Sequence, residues 1–208
     1  RLNDICSSEF RVAMLEEKEH SEDYLREDPS DLSEKQIMDR LNKTREKLEK
    51  SDERVINVAA RYTCRQTSKV FVSEKKCLSQ KYDWINVMLL TVVREGENIK
   101  SNYEAQGEAD SELALKKFEE SAEDVLDIAL KMLKAKPVVP GKYTIITDPS
   151  ISGLIAHEAF GHGVEMDMFV KNRAKAVDYV GQYVASPIVD MYDGAASCLS
   201  AASYFFDD

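Results

Sequence analysis

The feature that most constrains the fold is a change of period. Between Arg54 and Gln106 apolar residues recur at every second position, whereas the flanking segments repeat as helices do. VINVAARY (55–62), KVFV (69–72), DWINVMLLTVV (83–93) and NIKSNYEA (98–105) read as strands separated by short polar turns. Glu95-Gly96-Glu97 is a credible hairpin connection. Neighbouring strands with short links pair antiparallel, which predicts an α+β fold rather than alternating α/β. Tyr82 and Trp84 are expected in the core or on a sheet face, not as a ligand platform.

Two helices flank these strands. Over Ser33–Lys50, Ser33 and Gln36 form a capping-box pattern, and Ile37, Leu41 and Leu48 share one face. Asp110 or Ser111 caps a longer helix running to about Lys136, with Leu115, Phe118, Ala122, Val125, Leu126, Ala129 and Leu133 as its stripe. Pro137 and Pro140-Gly141 end it. The expected division is an N-terminal α+β domain, 1–140, made of an antiparallel sheet with covering helices. The beginning of a mainly β domain follows, 141–208. Phe10, Val12 and Met14 alternate as in a strand; the charged run after them is expected to be exposed, with His20 a surface histidine of no assigned role. Past the boundary, KYTIIT (142–147) reads as a strand and Asp148-Pro149-Ser150 as a helix start, the helix anchored by Ile151, Leu154 and Ile155. Val177 to Val189 and Ala202 to Phe206 read as further strands.

Composition excludes several classes. Hydrophobic residues make up 43% and charged residues 32%, the proportions of a globular protein, and no apolar run approaches a membrane span. The net charge is −10 with Lys and Arg interleaved among acids, which argues against direct binding to nucleic-acid phosphates. Cys6, Cys64, Cys77 and Cys198 are scattered without a C-x-x-C pair, so a reducing, cytoplasmic setting is expected. Cys198 follows the histidine motif and is open to reading as a ligand, although a free cysteine is favoured. The chain begins at Arg1 and ends in FFDD, and both ends read as cut.

The densest chemistry lies in His157–Asp167, HEAFGHGVEMD, which holds two of the three histidines and three carboxylates. Neutral imidazoles are good ligands for zinc and similar ions. A carboxylate beside such a site can take the proton of an attacking water. His157 and His162 stand at i and i+5, so a regular helix would splay them by about 140°. A break or π-bulge must absorb the extra residue, and Gly161 is the residue best able to take unusual angles. Glu158 is the candidate base. Glu165, three residues after His162, is either a rival third ligand or, with Asp167, an orienting group for the histidines. The bland alternative is a packed helical His157 and a loop His162 that meet no metal.

The run HExxGHxxExD resembles the zinc-peptidase signature of the TldD/PmbA family, some members of which carry the label "modulator of DNA gyrase". GKYTIITDPSISGLIA (141–156) and SPIVDMYDGAASCLSAASYFFDD (186–208) are also similar to that family. The resemblance implies a zinc metallopeptidase acting on unstructured peptides, with His157 and His162 as ligands and Glu158 as the catalytic carboxylate. It also implies a third, cysteine ligand beyond residue 208, a truncated chain inactive by itself, and a homo- or heterodimer. Weak zinc binding and association through an exposed strand at Tyr204–Phe206 are expected for this chain. The competing readings are a non-catalytic fragment or partner subunit with a structural role, and a gyrase-binding regulator.

Overall fold

The computed structural model describes residues 17–192 and 203–206. The expected strand around Phe10–Met14, together with Cys6 and Cys198, lies outside the described residues. The chain divides into two compact units, Arg1–Lys134 with Ser200–Asp208, and Ala135–Leu199.

The first unit is α+β, in the order β1 (His20–Arg26), α1 (Glu34–Glu49), β2 (Val55–Val72), β3 (Lys76–Glu95), β4 (Asn98–Glu108) and α2 (Ser111–Leu133). β2, β3 and β4 form the antiparallel meander that the alternation predicts. Gly96, at φ +59°, makes the β3–β4 turn in a conformation that favours glycine. Two expectations are corrected here. The segments 55–62 and 69–72 are one strand, because the polar stretch between them keeps its backbone ladder to β3 without a break. The charged segment HSEDYLR is itself a strand, paired parallel to Lys76–Tyr82, so the sheet is mixed. Its side chains are mostly exposed, which leaves no apolar alternation to read.

β3 organises the sheet. β2 occupies one of its edges, while β1 and β4 share the other end to end, pairing with 76–82 and 85–95. Its register with β2 is unbroken from Cys77 to Val92, yet it buries opposite faces at its two ends. From Ile85 onward the buried side chains are odd-numbered: Ile85, Val87, Leu89, Thr91 and Val93. They meet the apolar faces of α1 and α2, including Leu41, Leu48, Leu115, Phe118 and Val125. Each fully buried large side chain there contributes roughly 1.5–3 kcal/mol. Nearer its start the even-numbered Leu78, Gln80 and Trp84 are buried. On this side Ser203–Phe206 lies against β1 and β3. Gln80 donates to the Phe206 carbonyl at 2.8 Å and accepts from the Phe205 N–H at 2.9 Å, so its side-chain amide acts as a peptide group would. Phe205 stacks on Tyr24, and Arg26 donates to the Ser203 carbonyl at 2.6 Å. Tyr204–Phe206 is therefore not an open edge strand.

Both helices are well capped. Ser33 and Gln36 form the reciprocal capping box on α1, and Asp110 accepts from the N–H groups of Glu112 and Leu113 on α2. Arg40 forks from α1 to Glu112 and Glu119 of α2, each at 2.7 Å. Asp28 adds an anion at the α2 N-terminus, accepting from the Ser111 N–H at 3.0 Å and from its hydroxyl.

The second unit contains no strand among its described residues. Residues 142–147 belong to no helix or strand and pair with none of the described residues, with Ile145 75% and Ile146 96% exposed. Alternation supplies strand propensity, and a strand also requires a ladder partner. The expected strand over Val177–Val189 is instead a 3-10 helix, Lys175–Tyr179, followed by turns. α3 spans Pro149–Ala159, with Asp148 as N-cap accepting from the Ile151 N–H and Pro149 in its first turn. Ile151, Leu154 and Ile155 do not anchor it; each is about half exposed.

Candidate metal site

The site forms where α3 ends. His157 and Glu158 lie in its last turn, and the helix stops at Ala159. Phe160, at φ −143° and ψ −24°, caps it, and Gly161–Val164 continues as a 3-10 helix. The departure from helical angles thus falls on Phe160. Gly161 is not among the residues with positive φ, and a Cβ there would stand 3.5 Å from His157 Nδ1. Because the helix breaks between them, the two imidazoles meet despite their spacing: the ring centroids are 4.3 Å apart, edge to face.

His157, Glu158 and His162 each offer a donor atom, and these atoms lie within 4.8 Å of one another. Two imidazole nitrogens and a carboxylate oxygen, gathered this closely, fit a divalent ion of the zinc type. The three side chains are exposed, as an accessible site requires. His162 stands between two carboxylates. Its Nε2 is 3.7 Å from Glu158, and its Nδ1 is 2.9 Å from Glu165. Glu165 therefore lies across the ring from Glu158. Asp167 does not join them; it pairs with Lys171, whose ammonium holds its carboxyl below the usual carboxylate range.

A cleft of about 770 Å³ adjoins His157, lined by Ile155, Ala156, Phe160, Val184, Val189 and Met191. The sequence reading assigned no site role to residues 184–191. Nothing local marks them, since their place beside His157 is tertiary.

Residues 140–208 match the PmbA/TldA metallopeptidase C-terminal domain. Over that segment the chain is similar to the TldD/PmbA family. A metalloprotease of Methanocaldococcus jannaschii is 28% identical over 159 residues, covering 76% of this chain and 35% of the relative. One from Synechocystis is 29% identical over 161 residues, with the same coverage of 76% and 35%. A metalloprotease TldD homologue of Buchnera aphidicola is 28% identical over 87 residues, 42% of this chain and 18% of that protein. Among solved structures, a Bacteroides thetaiotaomicron protein described as a candidate modulator of DNA gyrase shares the fold. It superimposes with a TM-score of 0.58 at 22% identity, over 66% of this chain and 32% of that one. The chain thus spans about a third of the length of the first two relatives. The similarity to a metallopeptidase domain implies a metal cofactor, and among the described residues His157, Glu158 and His162 are the group that could hold one.

Proposed function

We propose that the chain is part of a zinc-dependent peptidase in which His157 and His162 hold the metal and Glu158 is the general base. The observation that carries the reading is the convergence of three donor atoms within 4.8 Å at the end of α3. A divalent ion bound there supplies Lewis acidity toward a peptide carbonyl and acidifies water. Glu158 takes the proton of the attacking water and returns it to the departing amine. The two imidazoles fix the place of the ion, and the apolar cleft beside His157 receives the substrate chain. An unstructured peptide is the proposed substrate, and a related second subunit the proposed partner. The name of the Bacteroides protein raises a gyrase-linked role, for which the acidic, interleaved charge of this chain offers no DNA-binding surface.

Replacing Glu158 with Gln in the intact protein removes the base and keeps the size. Peptide cleavage should fall by about 10²–10⁴-fold while bound zinc stays near its original stoichiometry. Loss of the metal together with the activity would make Glu158 a ligand and overturn its assignment as base.

A further inference from the structure

The two edges of the His162 ring face different carboxylates, and only one of these belongs to the metal cluster. Nε2 points toward Glu158, and Glu158 and His157 complete the set of converging donors. Nδ1 is held from the opposite side by Glu165 Oε1 at 2.9 Å, the separation of a sound N–H···O⁻ hydrogen bond. Glu165 stands at the N-cap of α4 (Met166–Val170), where a carboxylate ordinarily accepts from the helix's own N–H groups. Here the side chain makes no cap bond and turns to His162 instead.

We propose that Glu165 is a positioning residue: it accepts the Nδ1 proton of His162 and thereby leaves the Nε2 lone pair directed at the side where His157 and Glu158 converge. An imidazole has one N–H in its neutral form, so fixing that proton at Nδ1 fixes the ligating nitrogen as Nε2. The carboxylate also fixes the ring's rotation. The inference rests on the metal-site reading and deepens it, making Glu165 neither a base nor a ligand. Its position follows from chain geometry. The 3-10 helix Gly161–Val164 advances fewer residues per turn than an α-helix, which carries residue i+3 back over His162.

Two measurements test it on the intact protein. The first is the ¹⁵N spectrum of the metal-free protein at alkaline pH, where His162 should show a protonated Nδ1 and a bare Nε2. Glu165→Ala should mix the tautomers. A predominant Nε2–H form in the unsubstituted protein would overturn the proposal. The second is Zn²⁺ affinity measured by competition with a chromogenic chelator. Glu165→Ala should weaken it about 10–100-fold, and Glu165→Gln, which keeps an acceptor oxygen, should recover a large part of that loss. Unchanged affinity in the Ala variant would overturn the positioning role, and Gln falling as far as Ala would mark Glu165 as a ligand instead. Unsubstituted protein that takes up no Zn²⁺ would remove the metal-site reading, and the proposal with it, whichever tautomer His162 shows.

Discussion

At the scale of single residues, Asp28 ties the start of α2 to the loop after β1. Its carboxylate accepts from the Ser111 N–H and hydroxyl and from the Ser30 N–H and hydroxyl, closing the start of α2 against the loop after β1. Burial pushes its pKa up, but the hydrogen bonds from Ser111 and Ser30 outweigh this and hold it below the ordinary carboxylate value. The sign follows directly. A depressed folded-state pKa contributes stability that is fully present above the unfolded value, about 3.9, and is lost as pH falls through the lower folded value. Asp28→Ala should cost about 1–3 kcal/mol at neutral pH by leaving the Ser111 N–H without its acceptor. The gap between the denaturant midpoints of the two proteins should narrow as pH falls through the folded-state value, once the carboxylate is protonated in both states. Parallel acid profiles would show that the carboxylate contributes nothing specific. At the metal cluster, the sequence made the candidate ligands legible at this same scale, because His157, Glu158 and His162 lie within six consecutive residues. It left open which side of His162 Glu165 would occupy, since that depends on whether the residues after Gly161 continue as α or 3-10 helix.

At the scale of elements, local signals succeeded where the side chains face a core. The capping box at Ser33, the stripes of both helices and the β3–β4 hairpin are all present as the periodicity predicts. They failed where backbone pairing alone holds the chain. β1 is charged on both faces, and Thr63–Ser68 is polar on both, so neither shows an apolar rhythm although both are hydrogen-bonded strand. The reverse failure is Lys142–Thr147, which has the rhythm but no ladder among the described residues. Close packing between strands also escaped detection. Trp84 lies against β4 so tightly that a Cβ on Gly107 would come within 2.7 Å of its Cζ2. Gly107→Ala should therefore destabilise the protein by about 1–3 kcal/mol, chiefly by forcing the buried indole to move. Trp84 is the single tryptophan, so its fluorescence emission reports the displacement directly. With Trp84→Phe as background the same substitution should cost less; an equal cost in both would mean that the indole is not what resists the methyl group.

At the scale of the whole molecule, the two units differ in what holds them. The first encloses a contiguous apolar cluster running from Ile37 to Leu133, while α3 of the second, with its 3-10 extension, has no buried residue. Within the first, the manner in which β1 and β4 share one edge of β3 has a consequence for the order of assembly. β4 follows β3 after a two-residue turn, so that pairing closes a minimal loop. β1 must find a partner 56 residues downstream, His20 against Lys76, and its pairing is parallel. Closing the longer loop costs more chain entropy, and contacts of high sequence separation form late. The meander and its two helices should condense first and present a ready-made half-edge that β1 then occupies. Amide hydrogens of residues 20–26 should gain protection after those of 85–95 in pulse-labelled refolding, and should lose it first under native conditions. Simultaneous protection of both segments would mean that β1 belongs to the nucleus rather than to the last step of a two-stage zipper along a single template strand.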